Sequence, residues 1–147
     1  MIGAITIKSK VGLLRQLTTM VEIAVPNVDV KNQYKSIWDT GASASVITQF
    51  VVDNLGLIPT GMSLLHTANG TVRQYTYIID IYLSEKIVYN DVTVTCASAF
   101  SGGSDVLIGM DIISKGDFSV ANFEGKTCMS FRIPSKHEID FCQNSDL

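Results

Sequence analysis

Alternation of apolar and polar residues is the feature that most constrains the fold of this chain. Residues 2–7 and 18–25 are rich in Ile, Val and Thr with a period of two, the spacing that turns one face of a strand toward a core. Pairs such as Pro26-Asn27 interrupt these runs at short intervals. The pattern predicts about ten short strands. Their spacing is typical of an all-β closed barrel or sandwich and not of βαβ units.

Two short helices and three hairpins complete this prediction. Residues 48–55 read as a helix that Thr48 caps and that Gly56, followed by Pro59, ends. Residues 110–116 read as one or two helical turns closed by Gly116. The hairpins are predicted to turn at pairs that tolerate positive φ angles, namely Asn69-Gly70, Asn90-Asp91 and Glu124-Gly125.

Composition and charge exclude several classes of protein. The chain has 147 residues, 46 % of them hydrophobic and 17 % charged, which suits one ordered domain. Its net charge is −3 and it lacks the basic stripe that a nucleic-acid backbone requires. No apolar run approaches membrane-spanning length. We therefore expect neither a nucleic-acid nor a membrane partner, and a single domain over residues 1–147 whose polar segment 134–147 is a loose tail.

The cysteines and histidines give no sign of a cofactor. Cys96, Cys128 and Cys142 are odd in number and form no C-x-x-C pair. His66 and His137 lie far apart in sequence. We expect free thiols in a reducing, cytoplasmic compartment, with no metal and no other cofactor.

One acidic residue stands in an unusual setting, in the stretch WDTGASASVI over residues 38–47. A strand delivers Asp39 to a tight turn, in which Gly41 permits a close approach of a ligand and Thr40 offers a hydroxyl that can lock the turn. The bland interpretation is that Asp39 only begins an Asx turn. Apolar residues precede and follow the turn, however. Burying a carboxylate among apolar residues costs free energy unless the carboxylate has a partner or a function.

The stretch resembles the active-site turn of retropepsin-like aspartic proteases. Two further motifs follow in the order of that family, the glycine-bearing segment HTANGT at 66–71 and the strand VLIGMD at 106–111. The resemblance covers roughly residues 18–133, and it implies the closed β-barrel of one acid-protease lobe. It also implies an aspartic endopeptidase acting on polypeptides, in which two aspartates activate a water molecule.

The chain offers only one such aspartate. None of the nine other aspartates is followed by Thr-Gly or Ser-Gly. The simplest hypothesis is a C2 homodimer in which each subunit contributes Asp39. In such a dimer, the resemblance implies that Thr40 bonds across the axis. The resemblance assigns the catalytic turn to Asp39, Thr40 and Gly41. It assigns substrate contacts to turn residues, to a flap and to pocket walls, namely Ala42, Ser43, Ala68, Asn69, Gly70, Val46, Asp105 and Leu107.

Three positions depart from better-known members of the family. Ser43 and Met110 replace a carboxylate and an arginine that pair in retroviral enzymes, so the chain is more similar to cellular and bacterial members. Ala42 lacks the hydroxyl that pepsin-like enzymes place beside the catalytic carboxylate. We therefore expect a pH optimum that is weakly acidic and not strongly acidic.

Two other functions are compatible with the same residues. The first is a dimeric peptide-binding or scaffolding module with this fold and little or no turnover. The second is a small-ligand-binding barrel in which Asp39 serves only as a turn residue.

Overall fold

The computed structural model describes residues 1–67 and 70–143. Within that part of the chain, ten strands and two short helices follow one another. In chain order they are β1 Gly3–Lys8, β2 Thr18–Ala24, β3 Lys31–Trp38, β4 Val46–Thr48, α1 Gln49–Leu55, β5 Gly61–Thr67, β6 Gly70–Ser84, β7 Ile87–Ala97, β8 Val106–Ile108, α2 Met110–Ile113, β9 Asp117–Phe123 and β10 Lys126–Ile133.

Six of the strands close into a barrel. Hydrogen-bonded neighbours run in the order β2, β3, β8, β4, β7 and β6, and β5 extends the sheet beyond β6. Pairing of β2 with β6, from Glu22 opposite Tyr82 to Ala24 opposite Asp80, joins the two ends of the series. The closed all-β barrel with two short helices is thus confirmed.

The strand order brings two distant segments of sequence side by side. β3 runs parallel to β8, with Trp38 opposite Ile108, so Asp39 and Gly109 leave the barrel together. β4 runs antiparallel to β8 and parallel to β7. The turn that begins at Asp39 is therefore held between strands that are far apart in the chain.

Apolar side chains of alternate strand positions fill the barrel. Ile23, Ile47, Ile79 and Ile108 are fully buried. A second sheet, in the order β1, β10 and β9, packs on the outside. Aromatic rings link it to the barrel: the ring of Trp38 stacks on Phe118, with ring centroids 5.6 Å apart, and lies tilted against Phe131, with ring centroids 5.3 Å apart. These contacts anchor the residue that immediately precedes Asp39.

Helix α1 ends at Leu55, as the sequence predicts, and begins at Gln49, one residue later than predicted. Gly56 has φ 63° and closes the helix in the left-handed conformation. Thr48 occupies the N-cap position, but its hydroxyl forms no capping bond. It donates instead to Asp105 Oδ1 at 3.1 Å. The expected side-chain cap was wrong because a partner distant in sequence takes the hydroxyl.

The hairpin predicted at Asn90-Asp91 was also wrong. β7 runs through both residues, and the turn lies at 85–86, with Ser84 opposite Ile87. Asp91 does adopt a positive φ of 54°. It does so within an irregular stretch of pairing, where its N–H donates to Asp80 Oδ1 at 2.9 Å. A residue suited to a turn is here accommodated inside a long strand.

The other two predicted turns fare differently. Glu124 and Gly125 both have positive φ and connect paired residues Phe123 and Lys126, which confirms the last hairpin. Of the turn predicted at Asn69-Gly70, Asn69 lies outside the described residues. Gly70 is the first residue of β6, opposite Thr67.

The segment after Pro134 makes specific contacts with the outer sheet. Ser135 Oγ donates to Asp117 Oδ1, and the Lys136 N–H donates to Asp117 Oδ2 at 2.9 Å. Arg132 Nε also donates to Asp117 Oδ2, at 2.7 Å. These bonds hold the pKa of the Asp117 carboxyl well below its usual range, and the bond from the Ser135 hydroxyl has the largest effect.

Candidate active site

Asp39 is positioned by the end of β3 and by its own turn. Its N–H donates to the carbonyl of Ile108 at 3.0 Å. Its Oδ1 accepts the Gly41 N–H at 2.8 Å, and its carbonyl accepts the Ala42 N–H at 3.3 Å. The carboxylate is thus held in an Asx turn, with no hydrogen bond to Oδ2 from the described part of the chain.

The turn presents an open face. Asp39 and Ala42 are half-buried, while Thr40, Gly41 and Ser43 are exposed. The apolar flanks behave as expected, with Trp38 and Ile47 buried. One chain therefore presents the Asp39 carboxylate on a hydrogen-bonded turn whose residues Thr40, Gly41 and Ser43 face solvent.

A buried serine fixes the far side of the turn. Ser45 is fully buried, and its Oγ donates to Asp111 Oδ1 at 2.8 Å. The same Oγ accepts the Gly109 N–H at 3.1 Å. The Met110 N–H donates to the carbonyl of Ala42 at 2.8 Å. These bonds join the Asp39 turn to the start of α2.

Ser45 and Asp111 were not among the residues predicted from sequence. A polar residue directly before the apolar Val46 and Ile47 was the available signal, because a buried hydroxyl needs a partner. Its partner lies 66 residues further along the chain, so sequence alone gave no means of finding it.

The residues predicted as pocket walls lie next to one another on the barrel. Val46 and Leu107 are paired and half-buried. Asp105 accepts the Thr48 hydroxyl through its side chain and the Thr48 N–H, at 2.9 Å, through its carbonyl. The Asp105 carboxylate therefore already has a structural partner.

The segment predicted as a flap is an extended hairpin of β5 and β6. Ala68 and Asn69 lie outside the described residues. Along its arms, Met62, Leu64, Val72 and Tyr75 are each at least half exposed. The hairpin thus carries apolar side chains that the isolated chain leaves uncovered.

Three further features bear on function: metal sites, cavities and membrane-spanning helices. Among residues 1–67 and 70–143, no group of three His, Cys, Asp or Glu side chains is placed to hold a metal ion. A cavity of about 310 Å³ lies on the outer sheet, where Thr6, Asp117 and His137 line it, and not at Asp39. Neither described helix has the length and apolar character needed to cross a membrane.

The fold is similar to that of solved aspartic proteases. One is a retropepsin-like aspartic protease from Rickettsia conorii, with a TM-score of 0.52, 15 % identity, and coverage of 90 % of this chain and 95 % of that chain. Another is the EIAV protease complexed with the inhibitor HBY-793, with a TM-score of 0.51, 18 % identity, and coverage of 68 % and 86 %. The barrel is therefore a retropepsin-like aspartic protease fold.

Sequence comparison defines the family. The profile of the family described as "gag-polyprotein putative aspartyl protease" matches residues 26–115, a range that includes the Asp39 turn and β8. The chain belongs to this family of aspartic proteases. Among curated protein sequences, none matches it.

Proposed function

We propose that the protein is an aspartic endopeptidase whose active site forms when two copies bring their Asp39 residues together. The observation that carries this proposal is the Asp39 turn itself. A strand end, the Gly41 N–H and the Ile108 carbonyl hold the residue, yet the turn faces solvent. A carboxylate so firmly oriented at an open surface is suited to chemistry with a partner group.

The chemistry follows from pairing two carboxylates. At a separation of about 3 Å they share one proton, because like charges that close do not both ionise. The ionised member accepts a proton from a water molecule as that water attacks the scissile carbonyl, while the protonated member polarises the carbonyl oxygen. The water supplies the new C–O bond and the amine leaves with a proton, so neither a metal nor a covalent intermediate is required.

The remaining predicted residues have roles around that centre. Thr40 is proposed to bond across the two-fold axis, and Gly41, with Ala42 and Ser43, to hold the substrate backbone. The tip of the β5–β6 hairpin is proposed to close over an extended peptide and exclude water. Val46 and Leu107 offer apolar walls, which favour apolar side chains beside the cleaved bond. Asp105, beside these two residues, is proposed to line the same pocket.

A cytoplasmic location completes the proposal. Cys96, Cys128 and Cys142 are all free, which is the state expected in a reducing compartment.

Cleavage of denatured casein at pH 4–7 tests the activity. Asp39→Asn keeps the oxygen that accepts the Gly41 N–H, so we expect it to fold and to lose pepstatin-sensitive cleavage. Asp29→Asn is the matched control, since Asp29 is an exposed aspartate in another loop, and it is expected to cleave like the wild type. A wild-type dimer that binds casein but never cleaves it would instead support the alternative function, a dimeric peptide-binding module.

Mixing the two chains tests whether the aspartates act as a pair. After subunit exchange at equal concentrations, about half of the dimers are mixed, so activity per wild-type chain is expected to fall to about half. A threefold excess of Asp39→Asn should lower it to about a quarter. Activity per wild-type chain that stays unchanged or rises when the variant is added would show that one Asp39 suffices.

A further inference from the structure

The loop between β1 and β2 carries apolar side chains that face solvent. We call residues 9–14 the apolar loop. Val11 is 89 % exposed, Leu13 61 % and Leu14 38 %. Scattered apolar residues on a surface need no explanation, but three within four positions of one loop form a patch of the kind that marks an interaction site.

Hydrogen bonds hold the apolar loop in this arrangement. The Ser9 N–H donates to the Thr127 carbonyl at 2.8 Å, and the Thr127 N–H donates to Ser9 Oγ at 2.8 Å. The Leu14 N–H donates to Thr127 Oγ1 at 2.9 Å, and Thr127 is only 2 % exposed. Both ends of the loop are therefore tied to one buried residue of β10, while the side chains between them point outward.

The apolar loop leads directly to the Asp39 turn. Three residues beyond Leu14, the carbonyl of Leu17 accepts the Trp38 N–H at 2.9 Å. Thr18, the first residue of β2, is paired with Ile37. The exposed patch and the proposed catalytic aspartate thus lie on connected segments at the same end of β2 and β3.

The terminal strands are already paired within the chain. β1 pairs with β10 over six residues, from Gly3 opposite Ile133 to Lys8 opposite Cys128. A contact between copies that required β1 to leave this sheet would lose those hydrogen bonds and uncover Ile5 and Ile7, which pack against the core. The apolar loop offers a contact without that loss.

We propose that the apolar loop is a contact between the two copies of this chain that bring their Asp39 residues together. This inference rests on the proposed function. Val11 and Leu13 would lie in the water-free part of the interface, while the exposed Lys10 and Arg15 form its charged rim. A stable interface buries on the order of 800 Å² on each partner, so the exposed residues of the Asp39 turn must contribute to the same contact.

Leu13→Glu tests the proposal, with Ile58→Glu as the matched control. Ile58 is 80 % exposed, but it lines a cavity with Val25 and Pro26, beyond the opposite end of β2 from Leu17. Sedimentation velocity measures the dimer, casein cleavage the activity, and circular dichroism the fold. We expect Leu13→Glu to remain folded and to raise the dimer dissociation constant at least about tenfold, because it places an unpaired charge in the interface.

Activity measurements distinguish failure of the proposed loop contact from failure of the proposed function. Leu13→Glu should recover cleavage as its concentration is raised, whereas Asp39→Asn should dimerise and remain inactive. Leu13→Ala, which keeps the loop uncharged, should give a smaller increase in the dissociation constant. If Leu13→Glu and Ile58→Glu both dimerise like the wild type, the loop is not the contact, although the proposed function stands. A wild-type dimer without activity would overturn the proposed function and leave the loop contact intact.

A lipid surface is the alternative occupant for a loop with apolar and basic residues. Vesicles of phosphatidylcholine, with and without phosphatidylserine, distinguish it. Binding of the wild type to the anionic vesicles that Leu13→Glu abolishes, with dimerisation unchanged, would assign the loop to a membrane and overturn the proposal. If Leu13→Glu loses dimerisation while its binding to vesicles matches that of the wild type, the proposed contact between copies is supported.

Discussion

Gly109 packs against the backbone of Ala44 so closely that a β-carbon at position 109 would lie 2.6 Å from the Ala44 carbonyl. The two residues meet because Ala44 lies just before β4, Gly109 directly follows β8, and these two strands pair antiparallel, with Val46 opposite Leu107. Their contact sets the path of the chain after the Asp39 turn, and it explains why a glycine follows β8.

Gly109→Ala should therefore destabilise the fold. The φ of Gly109 is −97°, which alanine also adopts, so the expected cost is steric and about 1–3 kcal/mol. Casein cleavage should fall with it because the Asp39 turn must shift. Urea unfolding measures the effect. Gly12→Ala is a useful comparison, since position 12 has open space around it and only a positive φ of 70° to oppose the change. Wild-type stability in Gly109→Ala would contradict this account of the contact.

Ser45→Ala should cost about 1–3 kcal/mol of folding free energy. It removes the acceptor of the Gly109 N–H and the donor to Asp111, both at a fully buried position. Ser43→Ala, in the same turn but exposed, should change stability by less than about 0.5 kcal/mol. Thermal and urea unfolding of the two variants would show equal losses if the buried network were unimportant.

Thr127→Val should loosen the apolar loop. The change keeps the shape of the side chain but removes the hydroxyl that accepts the Leu14 N–H and donates to Asn122 Oδ1 at 2.7 Å. We expect a loss of about 1–3 kcal/mol and faster amide hydrogen exchange at Leu14. Thr127→Ser retains the hydroxyl and should restore most of the protection. Unchanged exchange in Thr127→Val would exclude this residue as the anchor of the loop.

Asp117→Asn should remove a pH-dependent part of the stability. Bonds from Ser135, Lys136 and Arg132 lower the pKa of Asp117 in the folded state below its unfolded value of about 3.9. As pH falls past that value, the unfolded chain takes up a proton that the folded chain does not. The stabilisation is therefore complete above about pH 5 and is lost as pH falls through the folded-state pKa.

Urea unfolding of wild type and Asp117→Asn between pH 3 and pH 7 checks this sign. The difference between them should be largest at neutral pH and shrink toward pH 3. Asp29→Asn serves as an exposed control whose difference from the wild type is expected to stay small. A difference that grew toward acid pH would refute the assignment.

Much of the fold was predictable because its signals are local. The alternation of strands, the left-handed Gly56 after α1 and the turn at Glu124-Gly125 depend on residues within a few positions of one another. The predictions at Asn90-Asp91 and at the Thr48 cap were wrong for the opposite reason. In both cases a distant strand or side chain offered pairing that outweighed the local preference.

The sequence by itself determined the chemistry available at the site: one aspartate before Thr-Gly, at the end of an apolar strand, in a chain with one such motif. Tertiary structure decided how that aspartate is held. The Ile108 carbonyl, the Ser45 bonds to Gly109 and Asp111, and the closure of β2 on β6 each join residues more than 50 positions apart. A local pattern carries no record of such partners, because hydrogen bonds and close contacts are selected only when the whole barrel packs.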